Sequence, residues 1–329
     1  MSVWKLRAVM FTCFLGTIIV GSAILYGVTT YILKASITIT AIAAFVTGLA
    51  IIQWLLAPKI IEAVYSVEEA DPVRYGWLHE VVEELAEASG LKKKPKVMIA
   101  HIPIPNAFAY GSPITGPRVA VTDALLRILN KDELKAVLGH EIGHLRHRDV
   151  AWMLAISLLP MLIYYLGDIL MRYGFFGSIF GGEAREGAPS WLILIAIGVA
   201  LLVVAFILNL FVLAFSRFRE YFADRHSVKL VPNGGKLLQR ALAKIVLASK
   251  YNFDEQELAR FSQFRALFIQ DVTTKVKPHF RDVSSFIEYL KSKPLTLGEK
   301  IAELFSTHPN IKKRLIMLDK FNEEYWSKY

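Results

Sequence analysis

Two histidines four residues apart with a glutamate beside the first, His140-Glu141-Ile142-Gly143-His144, supply the residue types of a metal-dependent hydrolase. On an α-helix, positions i and i+4 stack on one face, so His140 and His144 can converge on a single tetrahedral Zn²⁺. Glu141 falls beside that face. From there its carboxylate reaches the open metal position, where it can take a proton from water instead of binding the metal. A catalytic zinc also needs a third protein ligand and keeps its fourth position for water. Glu220 is the candidate, and Asp224, one turn further, can accept the spare N–H of a ligating histidine and fix its tautomer. The alternative pairs Glu220 and Asp224 with Arg217, Arg219 or Arg225 on a solvated helix; the nearby histidine pair favours ligation.

These residues need elements to carry them. The chain has 329 residues, 54% of them hydrophobic, and a mean hydropathy of +0.41, too apolar for an ordinary soluble enzyme. Residues 8–33 carry no charge, and a second uncharged run, 35–56, follows Lys34. Each is long enough to span a hydrocarbon core of about 30 Å. The first is too long for the apolar part of a signal peptide. A third run, 150–171, is interrupted only by Asp168, and a fourth, 191–215, is uncharged. Four spans are therefore expected. Lys5, Arg7, Lys59, Arg146, Arg148, Arg217 and Arg219 then fall on one side, which makes that side cytoplasmic, with both termini on it.

The expected fold is that of a mainly α membrane protein with a small α+β domain. Residues 1–57 form a transmembrane hairpin, 58–149 a first cytoplasmic part, 150–215 a second hairpin and 216–329 a second cytoplasmic part. Within the first cytoplasmic part, residues 68–89 show helical spacing up to Gly90. Strands follow at 95–100, 106–110 and 118–122, separated by Pro and Gly turns. Thr122 or Asp123 can cap a short helix, and Asn130 with Glu133 resembles a capping box. The helix carrying His140 and His144 has no breaker before Pro160 and should run straight into the third span. The fourth span continues through residues 216–224 without Gly or Pro. Two of the four transmembrane helices thus extend into the zinc-binding helices. Their cytoplasmic ends must be neighbours, because the third and fourth spans form a hairpin; this brings Glu220 to the histidines. Residues 173–190 read as a loop rich in Gly and aromatics, and the chain beyond Gly234 as helical.

His140-Glu141-x-x-His144, then Arg219-Glu220-Tyr221-x-Ala223-Asp224, and finally Ser306-Thr307-His308-Pro309 with Arg314 resemble the HtpX-type membrane zinc endopeptidases and the related CAAX prenyl proteases. Asn106-Ala107-Phe108-Ala109 is similar to the edge-strand motif of that family. The blocks occur in the family's order over residues 95–315. The resemblance implies a gluzincin: one Zn²⁺ per chain on His140, His144 and Glu220, with Glu141 as catalytic base. The implied substrates are membrane or misfolded proteins, within membrane-protein quality control. An extended substrate could pair with the strand at Asn106, Ala107, Phe108 and Ala109 by β-addition. His308 can donate to a developing oxyanion, against the alternative of a loop histidine before a proline. Arg314 either positions substrate or braces Glu220, or is a helix-surface arginine.

Other classes fit less well. A net charge of +9 and the basic run Lys92-Lys93-Lys94-Pro95-Lys96 come without a nucleic-acid-binding motif, so no nucleic-acid partner is expected. The basic balance suits a protein held against an anionic leaflet of the plasma membrane. The single cysteine, Cys13, lies in the first run and cannot form an internal disulfide, which fits a reducing cytoplasmic setting. His147 is not needed as a ligand; His101, His226 and His279 read as structural. A non-catalytic scaffold whose zinc fastens two helices would not need Glu141. Processing of prenylated C-termini is the narrower alternative.

Overall fold

The computed structural model describes residues 36–180, 190–251 and 282–326. The first apolar run, Cys13, His279 and residues 258–268 lie outside them. The chain forms two compact units: residues 54–150 with 216–329, and residues 2–53 with 151–215.

The first unit contains a four-stranded sheet: β1 (Val67–Glu69), β2 (Lys96–Ala100), β3 (Ala107–Ser112) and β4 (Gly116–Thr122). Their spatial order is β1-β2-β4-β3, with β2 parallel to β4 and both outer strands antiparallel to their neighbours. Alternation along the strands separates two faces. Val97, Ile99, Val119 and Val121 join the main helical core, whereas Met98, Ala100, Phe108, Tyr110 and Ala120 pack with Tyr65 on the other side. Strand β1 is a correction to the helix expected over 68–89. Residues 67–69 pair with 98–100, and the helix starts only at Pro72, where Asp71 accepts a hydrogen bond from Val73 N–H. Proline at the first helical position loses no hydrogen bond, which fixes that start.

Helix α1 (Ser36–Val64) precedes β1, and α2 (Pro72–Ala88), α3 (Asp123–Ile128) and α4 (Lys131–Arg146) pack on the sheet. Thr122 caps α3, and Asn130 with Glu133 closes a capping box on α4. Then come α5 (Asp149–Phe180), α6 (Ser190–Leu230), α7 (Gly234–Tyr251), α8 (Val283–Ser292), α9 (Leu297–Leu304) and α10 (Ile311–Trp326). Buried residues of α2, α4, α7, α8 and α10 complete the main core.

The motif helix does not run into the third span. It ends at Arg146, and α5 begins at Asp149. Arg148 between them adopts φ +54°, a left-handed conformation that a continuing helix cannot contain. Helix α6 joins the apolar run 191–215 to the segment that carries Glu220 and Asp224. Its 41 residues extend about 60 Å, twice a hydrocarbon core, so its uncharged part, 191–215, can cross and the rest must emerge.

Two described helices, Asp149–Ile179 and Trp191–Leu230, are long and apolar enough to cross a membrane. In the second unit Ile163, Leu166 and Leu170 pack against Leu201, Ala205 and Leu208. Gly167 and Gly198 allow this approach: a methyl on Gly198 would lie 2.8 Å from the Gly167 carbonyl oxygen. Small residues at a helix crossing are characteristic of membrane packing. Tyr164, Val203 and Ile207 stay exposed, as lipid-facing residues would. Asp168 is offset by Arg172 one turn on, at 2.7 Å. The helix persists through Tyr173 to Phe180, where a loop was expected.

Candidate metal centre

Close packing of α4 on α6 builds the site. A methyl group at Gly143 would sit 3.1 Å from Ala223 Cα and from His226 Cβ. One turn earlier, Gly139 faces Ser227, whose hydroxyl donates to the Ala136 carbonyl at 2.5 Å. The glycine inside the motif therefore has a steric reason: a side chain there would require these backbones to part by a few tenths of an ångström.

At that approach His140, His144 and Glu220 come together, with one ligand atom from each lying within 4.8 Å of the others. The two Nε2 atoms are 3.1 Å apart. Glu220 Oε1 lies 3.4 Å from His144 Nε2, and Oε2 lies 3.7 Å from His140 Nε2. Each histidine is oriented from behind by a carboxylate. His140 Nδ1 meets Asp224 at 2.9 Å, and His144 Nδ1 meets Asp149 at 2.5 Å. With Nδ1–H donating to a carboxylate, Nε2 of a neutral imidazole presents a lone pair. Two lone pairs and a carboxylate facing one another, with His140 and Glu220 buried and His144 partly so, form a donor set that a divalent cation satisfies. Glu220 Oε2, moreover, is buried without a hydrogen-bond partner. The residues present fit a metal.

Charged groups behind the ligands complete the arrangement. Arg314 is fully buried and grips Asp224 with two hydrogen bonds, 2.8 and 2.7 Å. It also lies 3.5 Å from Glu220 Oε2. It is therefore a brace, not a helix-surface arginine. Arg219 pairs with Asp149 at 3.1 Å. His308 is buried, with Nδ1 3.1 Å from Glu220 Oε2 but outside hydrogen-bond geometry, so neither ring nitrogen has a hydrogen-bond partner.

Burial and these partners set the protonation states. Burial lowers the His140 pKa to about 4, partly offset by Asp224. For His144 the same burial is outweighed by Asp149 and Glu220, which raise it. Burial opposes ionisation of Glu220, yet His308, Arg314 and His144 hold its carboxyl well below the usual range. Asp149 and Asp224 are likewise lowered against burial, by Arg219 and Arg314 respectively. Glu141 differs: burial pushes it up to about 8. Without a bound cation Glu220 is thus ionised near neutral pH while Glu141 keeps its proton, and a cation held by His140, His144 and Glu220 would favour the ionised, proton-accepting form of Glu141.

The edge strand also reaches the site. Thr122 N–H donates to the Asn106 carbonyl at 3.0 Å, and β3 continues antiparallel to β4 from Ala107↔Val121. Antiparallel alternation then turns the backbone groups of Ala107 and Ala109 away from β4. Ala109 N–H donates to the Glu141 carboxylate. The Phe108 side chain points instead to the opposite face, 5.6 Å from the Tyr65 ring and 5.5 Å from that of Tyr110.

Among other histidines, His147 caps the end of α4 with its ring against Phe222 and His226. His101 bridges Glu68 and Asp123. Asp149 and the pairing of Arg219 with it escape sequence reasoning. A carboxylate five positions after His144 is off the helical face, and only the break at Arg148 swings it back.

A buried His-His-Glu cluster, a glutamate at its side and an edge strand leading to it define the class of metal-dependent peptidases. Residues 72–322 match Peptidase family M48. The chain is 40% identical over 326 residues to Protease HtpX homolog 2 of Sulfurisphaera tokodaii, covering 97% of each chain. It is 43% identical over 275 residues to the Protease HtpX homolog of Aeropyrum pernix, covering 83% of each. The crystal structure of S. mikatae Ste24p shares the fold, with a TM-score of 0.56 over 96% of this chain and 67% of that one, at 20% identity. The chain belongs to peptidase family M48 and is a membrane metalloprotease of the HtpX type.

Proposed function

We propose that the chain is a zinc endopeptidase that cleaves membrane or misfolded proteins at the cytoplasmic face of the cell membrane, in protein quality control. The observation that carries this reading is the meeting of His140 Nε2, His144 Nε2 and the Glu220 carboxylate while both Nδ1 atoms are held by aspartates. Two imidazoles and one carboxylate, leaving a position open, are a donor set suited to one catalytic Zn²⁺, although Co²⁺ or Mn²⁺ can also occupy it. When bound, the metal polarises the scissile carbonyl and acidifies a coordinated water.

The chain's own residues then have assigned tasks. Glu141, whose ionised form a bound cation would favour, would accept the proton of water and pass it to the leaving amine. Asp224, clamped by Arg314, holds His140 in the tautomer that presents Nε2, and Asp149, paired with Arg219, does so for His144. His308 is assigned as donor to the oxyanion, which its unsatisfied ring nitrogens support. An extended substrate adds to β3 through the outward backbone groups of Ala107 and the carbonyl of Ala109, with Asn106 and Phe108 fixing the strand. Recognition of backbone in place of side chains suits unfolded segments. Glu220 shares its helix with the apolar run 191–215, which supports cleavage near the membrane. Four spans, with both termini and the segments 58–149 and 216–329 cytoplasmic, complete the proposed topology. The likeness to Ste24p concerns the fold alone and does not carry prenyl-protein processing to this chain.

The test measures bound metal and casein cleavage in detergent, with and without chelator, then with Zn²⁺, Co²⁺ or Mn²⁺ restored. About one zinc per chain and chelator-sensitive cleavage are expected. Bound metal without any chelator-sensitive cleavage would replace this reading with the non-catalytic scaffold.

A further inference from the structure

Helix α9 has its apolar side outward. Leu297, Ile301 and Leu304 stand at i, i+4 and i+7, hence on one face. They are 74%, 48% and 50% exposed, and no residue of the helix is buried. Its polar side is the one engaged with the protein. Glu303 accepts a hydrogen bond from Asn310 N–H at 3.0 Å and pairs with Lys313, while Glu299 closes a capping box with Thr296. A helix at a water-exposed surface presents the reverse arrangement.

A second observation sets the depth of this face. Arg217 follows the uncharged run of α6, which ends at Phe215. Its guanidinium donates to the carbonyls of Leu304 at 3.2 Å and Ser306 at 2.8 Å. Where a helix leaves a bilayer on the basic side, an arginine just past the apolar run sits at the headgroups. The C-terminal end of α9 is tied to that arginine, so it lies at the same depth. An apolar helix face there meets the boundary between headgroups and acyl chains. Exposed Lys300, beside that face, suits an anionic leaflet.

We propose that α9 is an interfacial helix, with Leu297, Ile301 and Leu304 embedded in the lipid surface. The contact has a consequence for the site. Ser306 lies directly beyond α9, and its hydroxyl accepts a hydrogen bond from His308 N–H at 3.1 Å. Lipid contact thereby steadies the loop that sets His308 against Glu220. The proposal rests on α6 crossing the membrane and is independent of the zinc assignment.

Single cysteines test it in the full-length chain carrying Cys13→Ser. Ile301→Cys, Glu288→Cys and Val203→Cys, each labelled with a fluorophore, are placed in vesicles of neutral and anionic phospholipid. Glu288 is a water-exposed control on α8 and Val203 a control within the span. Spin-labelled lipid is expected to quench Ile301 at least about threefold more than Glu288, with aqueous iodide giving the reverse order. Iodide quenching of Ile301 equal to that of Glu288 overturns the proposal. So does shielding of Ile301 from both quenchers, which would mean that protein covers the face. Lipid quenching absent at both Ile301 and Val203 overturns it together with the membrane reading of α6.

Discussion

Replacing Arg314 with methionine removes the charge at the centre of the buried network while keeping most of the side-chain volume. Arg314 and Asp224 are both fully buried, and their pairing is bidentate at 2.7 and 2.8 Å. Arg314→Met leaves Asp224 with His140 as its one close partner. Breaking a buried pair from one side costs about 3–5 kcal/mol, because the remaining charge is desolvated without compensation. For a unit of roughly 200 residues, each kcal/mol moves the melting temperature about 2–4 °C. A fall of about 10 °C is therefore expected in detergent, followed by tryptophan fluorescence. Removing both partners is milder than either single loss predicts: Arg314→Met with Asp224→Asn should recover at least about 2 kcal/mol relative to the sum. Zinc affinity, measured by chelator competition, should fall about 10–100-fold in Arg314→Met as His140 loses its anchored carboxylate. A melting temperature within about 2 °C of the parent would refute the reasoning.

Two other perturbations follow from the same packing. Gly143→Ala puts a methyl 3.1 Å from the Ala223 backbone, so α4 and α6 must part by a few tenths of an ångström; zinc affinity should drop about tenfold, and unchanged affinity would count against the close-approach argument. His226 is lowered to about 4, first by burial and then by His147 and Lys229. Between pH 6.5 and 4 the unfolded chain binds a proton that the folded chain refuses, so stability is full above 6.5 and falls with pH by on the order of 3 kcal/mol. His226→Gln should flatten the dependence of melting temperature on pH in that window, and an identical slope in the variant would dismiss His226 as its source.

The chemistry of the site was more legible in the chain than its supporting geometry. The spacing of His140 and His144 places them on one face of any helix, and Glu220 followed from the two apolar runs between them. The capping box at Asn130 and the three strands at 95–122 were equally readable, because each has a local signature. Strand β1 was missed: Val67–Glu69 has no strand signature of its own and exists through pairing with β2. The break between α4 and α5 was missed as well, since no Gly or Pro marks it and Arg148 takes a left-handed conformation on tertiary grounds. With it went Asp149, whose approach to His144 depends on that break. Arg314 could not be resolved from sequence because burial, which separates a brace from a surface arginine, is a property of the fold.

The central claim is that Glu141 moves protons at a zinc held by His140, His144 and Glu220. Glu141→Gln tests it most directly, since the amide keeps the shape of the carboxylate but cannot accept the proton. The variant should bind about one zinc per chain, as the parent does, while casein cleavage falls by at least about a thousandfold. Near-normal cleavage by a zinc-loaded Glu141→Gln chain would contradict the account.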